Sequence, residues 1–455
     1  MSDSAANPPS QPVFDPSSAH QTTPRVRHLR AFPLQAKGPD GTPQNMMGLA
    51  DAQQISHKMV ATAPAAQMII PHLDGTKNID EIVAAVGKGL TREFLEQFVA
   101  QLDDAALLFG PNHDAMVEEM RAAFDSSEIL PPSATADFAD ALVKQKLGDD
   151  VTDEAMKEQG PAELAAILDK FIEEALKSSE RPPFEELPRA VIAPHIDYQR
   201  GWQNYANVWG RLKDAPAPDR VVILGTNHFG SSSGVCGCDK GFSSPLGTSP
   251  LDTRLLEALT ARLGEEAAGR MLANRYDHER EHSIELHMPW IHHTLASGGR
   301  EIPVFAALIH DPTVNDGQSY DGNGLDFESF VDALKGALEE VGGTTLIVSS
   351  ADLSHCGVAF GDQVVINPNE DAGKAELERI VKHDREMLTM VEQAKADDLI
   401  SSMSWQQNPT RWCSLGNMTA AMKLTDAESV ELLNYFAAVD SQGTTLVSHA
   451  AMAIR

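Results

Sequence analysis

Cysteine is scarce in this chain: four in 455 residues, at Cys236, Cys238, Cys356 and Cys413. That is too few for a disulfide scaffold at this length and points to a reducing compartment. Aromatic residues make up only 6%, and no apolar run approaches the roughly 18 residues of a membrane span. The opening Met1-Ser2-Asp3-Ser4 has neither the cationic nor the apolar stretch of a secretory signal. Positive charge is short as well, since 36 Lys+Arg face 66 Asp+Glu and leave a net charge of −30. A chain that acidic repels nucleic acid and anionic membranes, and no Lys/Arg cluster offsets the average. There is no dinucleotide fingerprint and no phosphate loop. Cys236-Gly237-Cys238 is not followed by a second pair at zinc spacing. We expect a cytoplasmic protein that binds neither nucleic acid nor membrane.

What is present divides the chain. Residues 1–40 carry Pro8, Pro9, Pro12, Pro16 and Pro24 among polar residues and read as a flexible tail. Residues 41–125 read as a small α-rich domain. Asn78 and Glu81 make a capping box ahead of Ile79, Ile82, Val83 and Val86. Thr91 caps a second stripe, Phe94, Leu95, Phe98 and Leu102, before a short strand at Leu107-Leu108-Phe109-Gly110. Following Leu73-Asp74-Gly75-Thr76, this pattern resembles the PqqD-like winged-helix modules, a likeness that implies peptide binding; a helical packing appendage is the alternative. Residues 126–160, acidic and broken by Pro131 and Pro132, read as a linker. From 161 to 455, a helix bearing Leu164, Ile167, Leu168, Phe171, Ile172 and Leu176 precedes apolar runs at 190–193, 221–224, 302–309, 345–348 and 445–447. Buried strands alternating with helical spacing predict an α/β fold with a mixed or parallel sheet flanked by helices.

The chemistry-bearing residues follow those runs. The first run leads into Ala193-Pro194-His195-Ile196-Asp197-Tyr198, the second into Gly225-Thr226-Asn227-His228, and the fourth into Ser349-Ser350-Ala351-Asp352-Leu353-Ser354-His355. In open α/β sheets ligands bind beyond the carboxyl ends of the strands, so these loops are expected to converge on one site. A further stretch, His278-Glu279-Arg280-Glu281-His282-Ser283-Ile284-Glu285-Leu286-His287, contains a literal His-Glu-x-x-His. On one helix, His278 and His282 would share a face and bind zinc, as in a peptidase. The position of the next metzincin ligand is Met288, which argues against that reading. For His287, His292 and His293 a solvated helix face is expected.

Ala-Pro-His, Gly-x-x-His, Glu-His-Ser-x-Glu and Ser-Ser-x-Asp-x-Ser-His, in that order, resemble the Memo family, and Leu433-Asn434-Tyr435 with Val447-Ser448-His449-Ala450 resemble its closing passage. The likeness spans about 160–455, leaves the N-terminal third outside, and puts Cys413 at a family turn. It implies a fold similar to class III extradiol dioxygenases, which hold non-haem Fe(II). It also implies one divalent metal ion, Fe(II) first and Cu or Zn as alternatives, held by His195, His228 and His282. His355, Asp352 and His278 would then serve acid/base chemistry, with Tyr198, Glu285 and Ser354 orienting substrate or ligands and Glu281 available as an acceptor. Animal members have cysteine where this chain has Ser354, so either imidazole-plus-oxygen coordination or a weak site is expected here. The family reading implies an oxidative, dioxygenase-like step on a small organic or peptidyl substrate and a radical-SAM partner protein; the sequence leaves the oligomeric state open, with a homodimer the form that an acidic α/β domain with a helical appendage often takes. The alternative of another class is a non-enzymatic module for peptides or phosphopeptides.

Overall fold

A computed structural model of the chain describes residues 12–37, 42–87, 89–177, 182–296 and 299–455. They fall into two units, Met1–Ser126 and Ser127–Arg455. The first contains α1 (Ala19–Thr22), β1 (Leu29–Lys37), β2 (Pro43–Asp51), β3 (Met59–Thr62), α2 (Ile79–Val86), α3 (Arg92–Asp104) and α4 (Pro111–Ser126). The strands form an antiparallel sheet in the order β1-β2-β3. Asn78 and Glu81 exchange the two hydrogen bonds of a capping box at α2, and Thr91 accepts the Phe94 N–H at α3. Leu49, Ile79, Ile82, Leu95, Phe98, Leu102 and Leu107 make the core.

Two expectations change here. The sheet begins at Leu29, inside the stretch read as a tail, because β1 pairs with β2 along its whole length and long-range pairing is invisible to local composition. Residues 1–11 and 38–40 of that tail lie outside the described residues. The strand expected at 107–110 is a single bridge between Leu108 and Val26.

The second unit starts with β4 (Ile129–Leu130), α5 (Ala134–Leu147) and α6 (Asp153–Lys177). These occupy the stretch read as a linker. Thr135, Ala139 and Val143 recur at helical spacing and are buried where α5 packs on α6, while Asp149 and Asp150 stay in solvent. The acidic composition belongs to the outer surface. Next come β5 (Ala190–Ala193), α7 (Tyr198–Leu212), β6 (Arg220–Thr226), β7 (Cys236–Gly237), β8 (Gly241–Ser244), β9 (Gly247–Ser249), α8 (Thr253–Leu272), α9 (His282–Glu285), α10 (Met288–Thr294) and β10 (Val304–Ile309). The rest is α11 (Phe327–Val341), β11 (Thr345–Ser350), β12 (Asp352–Cys356), α12 (Asp371–Glu392), α13 (Ala396–Gln406), α14 (Leu415–Leu424), β13 (Val430–Val439) and β14 (Leu446–Ile454).

The main sheet runs β12-β14-β5-β11-β6-β10-β7, with β13 on β14. β5, β11, β6 and β10 are mutually parallel; the flanking pairings are antiparallel, so the sheet is mixed. Side chains alternate along a strand. Ala190, Ile192, Val222, Leu224, Phe305 and Ala307 enter one core with Leu334, Leu399 and Met418. The intervening Val191, Val221, Ile223 and Ala306 are just as buried, so both faces are covered, which explains the continuous apolar runs. α7 packs on β5 and β14, and α14 packs on β6, β10 and β11. No helix among the described residues is long and apolar enough to cross a membrane.

Candidate metal centre

Three neighbouring strands bring the site together. In the parallel ladder Ser350 is level with Ala193, and Ser349 with Leu224, so β5, β11 and β6 end at one rim. His195 and His228 each follow the last residue of their strand by two positions. Strands two places apart stand about 9.5 Å from each other. The two imidazoles lean over the end of β11 until their ring centroids are 5.0 Å apart. Gly225 allows close approach on β6: a Cβ there would fall 2.6 Å from the side chains of Ile284 and Ser283.

Hydrogen bonds fix both tautomers. The Ser350 hydroxyl donates to the Ser283 carbonyl at 2.5 Å, which leaves its lone pairs for the Nδ1–H of His195 at 3.0 Å. Nδ1 of His228 lies 3.0 Å from a Glu281 carboxylate oxygen, which can only accept. In His195 Nε2 keeps its lone pair, and in His228 Nε2 is the nitrogen turned away from Glu281. A second partner on the far nitrogen is the usual support of a metal-binding histidine. Burial and the neighbouring histidines hold the His195 pKa well below the ordinary value. For His228 burial opposes charge, but Glu281 and Cys413 outweigh it and raise the pKa well above the ordinary value. Burial would raise Glu281 too, yet His228 and His282 pull it down to about 2.

A thiol stands beside the two imidazoles. Cys413 Sγ lies 3.3 Å from His195 Nε2, and the ligand atoms of His195, His228 and Cys413 all fall within 4.8 Å of one another. Metal–nitrogen and metal–sulfur bonds of about 2.0–2.3 Å in a tetrahedral arrangement put donors about 3.5 Å apart, so the group fits a transition-metal ion with small adjustments. Cys413 follows a loop in which Gln407, Asn408 and Arg411 all have positive φ. Asn408 closes that loop by bonding both the N–H and the carbonyl of Trp412, and Arg411 pairs with Asp362. Sulfur is available beside the imidazoles at Cys413, and oxygen at Glu281, which groups with His228 and His282. Ser354 is fully buried and donates to Asp384.

His282 stands at the mouth, its side chain 31% accessible, stacked on His228 at 4.8 Å and 5.6 Å from the His195 ring. It groups with His228 and Glu281. Glu281, however, already accepts from the N–H of His228, from its ring and from the N–H of Ser283, which makes it a positioning group. Burial lowers the His282 pKa to about 4 and keeps the ring neutral. Asp352 accepts the backbone N–H of His195 at 3.1 Å, its other oxygen is 3.8 Å from His195 Nε2, and burial pushes its pKa up to about 7. His355 is held by the carbonyls of Leu353 and Arg411 at Nδ1, and burial pushes its pKa down to about 4.

Other candidates lie elsewhere. His278 sits in a 3-10 turn (Arg275–Glu279), separate from α9, and its Nε2 meets the Cys236 carbonyl at 3.1 Å. The shared helical face that a zinc peptidase needs with His282 does not form, and His278 is a buried structural residue. Tyr198 donates to the Leu286 carbonyl from within the core. Glu285 accepts the N–H groups of Ser133, Ala134 and Thr135 and so caps α5. His287 and His292 are buried, the latter between Ser244 and Ser249, so the solvated face is corrected for both; His293 reaches Asp169. Cys356 is buried beside the Thr410 carbonyl.

A family model described as Memo-like protein matches residues 155–453. A MEMO1 family protein of Methanopyrus kandleri is 26% identical over 304 residues, covering 65% of this chain and 94% of the relative. One from Aquifex aeolicus is 24% identical over 388 residues, 84% of this chain and 86% of the relative. That share exceeds the whole of Ser127–Arg455, so the likeness reaches into the N-terminal unit, which the sequence resemblance leaves out. One from Methanothermobacter thermautotrophicus is 27% identical over 205 residues, 44% of this chain and 67% of the relative.

Proposed function

The chain belongs to the Memo-like family, and on that premise we propose that it holds one transition-metal ion between His195 Nε2, His228 Nε2 and Cys413 Sγ. The observation that carries this reading is the pair of imidazoles with Nδ1 already engaged, beside a thiol 3.3 Å from one of the free nitrogens. Two imidazoles and a thiolate suit copper, iron or zinc and discriminate against magnesium and calcium. We take the ion to be redox-active, iron or copper, and the protein to act on a small organic or peptidyl substrate.

Bound there, such an ion supplies one-electron chemistry and Lewis acidity. The chain's own residues do the rest. Glu281 and Ser350 hold the rings in one orientation. Asp352, raised to about 7, can keep or release a proton beside His195. His355, neutral and donating from Nδ1, keeps Nε2 as a base within electrostatic reach of His228. His282 offers a neutral ring to whatever enters the mouth.

The test is metal analysis of anaerobically purified protein, wild type against a His195→Ala/His228→Ala pair and Cys413→Ser. Stoichiometric iron or copper in the wild type, absent from the double variant and reduced in Cys413→Ser, supports the reading. Equal metal in all three defeats it, and zinc alone defeats the redox part.

A further inference from the structure

We propose that Asp384 is the positioning residue of the metal centre, aligning from behind the two chain segments that carry Cys413 and the Asp352–His355 pair. The inference rests on the metal reading above. Asp384 lies in α12, fully buried, and its carboxylate accepts from four neutral donors. Oδ1 takes the Trp412 indole N–H at 2.8 Å and the Ser354 hydroxyl at 2.5 Å. Oδ2 takes the Tyr435 hydroxyl at 2.7 Å and the Ser448 hydroxyl at 2.5 Å.

The position of those donors is the argument. Trp412 immediately precedes Cys413, and Ser354 lies between Asp352 and His355 in β12. One oxygen therefore grips both segments, and the Trp412 indole also reaches the Ser354 hydroxyl at 3.2 Å, tying them to each other. Ser448 adds a second hold, since its hydroxyl accepts the Ser354 N–H at 2.9 Å. The loop before Cys413 has three non-glycine residues at positive φ, so it needs external fixing to keep one geometry. A buried carboxylate with every lone pair engaged is stiff because none of its bonds can be exchanged for water. Replacing one of its two acceptor oxygens would loosen Trp412 and the adjoining thiol and so weaken coordination.

The experiment uses full-length protein loaded with Co(II), whose sulfur-to-metal charge-transfer band reports the thiolate bond directly. Asp384→Asn turns two acceptor oxygens into one; Tyr435→Phe removes a single donor from Oδ2 and leaves Oδ1 untouched. We expect Asp384→Asn to lose about tenfold or more in Co(II) affinity, with a weakened or shifted band. Tyr435→Phe should keep the wild-type spectrum at comparable thermal stability. If Asp384→Asn fails to fold, Trp412→Phe, which deletes only the indole donor next to Cys413, must show the same spectral change. An unaltered band in a folded Asp384→Asn or Trp412→Phe protein overturns the proposal while leaving the metal reading intact. A wild type with no thiolate band overturns both.

Discussion

The hydroxyl of Ser350 accepts from His195, and it can do nothing else, because its own proton is committed to the Ser283 carbonyl. One serine thus links the Glu-His-Ser segment to the first strand-end histidine and decides which nitrogen of His195 is free. Ser350→Ala should fold, because the side chain shrinks by one atom, but it should lose about tenfold in metal affinity through the unfixed ring. Isothermal titration with Zn(II) or Co(II) measures this, and unchanged affinity would mean that packing alone orients the imidazole.

Glu281 plays the corresponding part for His228. Its side chain is fully buried and its carboxyl is held down at about 2, so the native state keeps it ionised. A depressed carboxyl stabilises above its unfolded value of about 4.5 and loses that contribution as pH falls toward 2. Glu281→Gln should flatten the stability profile over that window and lower metal affinity about 10-fold or more at neutral pH. Urea denaturation at a series of pH values, together with metal titration, checks both.

Acid lability should begin higher than carboxylates alone would set it. His287 is fully buried against Tyr205 and Trp209, neither ring nitrogen has a protein partner, and burial pushes its pKa down to about 3. The unfolded histidine titrates near 6.5. Stability from the neutral ring is therefore complete above about pH 6.5 and is lost as pH falls through 5 toward 3. His287→Phe should be neutral or stabilising at pH 7. At pH 5 it should gain about 1 kcal/mol or more on the wild type, since a tenfold change in proton affinity is worth about 1.4 kcal/mol. Paired melts at the two pH values test it.

Glu285 separates stability from chemistry. It accepts three backbone N–H groups at the start of α5, so Glu285→Ala should cost about 2 kcal/mol. Metal affinity should stay within twofold of wild type. A large loss of affinity in a folded variant would return Glu285 to the site.

The strand ends are legible because buried parallel strands are almost wholly apolar, and a polar, imidazole-bearing segment directly after one marks the rim. His195, His228 and the Glu281-His282-Ser283 motif stand out for that reason. Cys413 shows in the sequence only as a turn residue. Its approach depends on Asn408 folding the loop onto Trp412 and on side chains far away in sequence, and no local spacing encodes that. Ser354 misleads for a related reason. A register irregularity in β12 between Asp352 and His355 turns Ser354 to Asp384, while Asp352 reaches His195. The His-Glu-x-x-His string misleads because a match of letters carries no helix; a 3-10 turn ends between its histidines. The acidic stretch at 126–160 resembles a spacer because its buried positions are few and small.

Strand β14 divides its partners, pairing with β12 near His449 and with β5 from Met452 to Ile454, while β13 runs along its other edge. It is also the last of the sheet's described strands in sequence. Without it β5 lacks one neighbour and β12 has none, and ladders between such distant residues form slowly. The edge that seats Asp352 and His355 therefore closes only with β14, whereas β5, β11 and β6, whose ends lead into the two histidines, pair with one another without it.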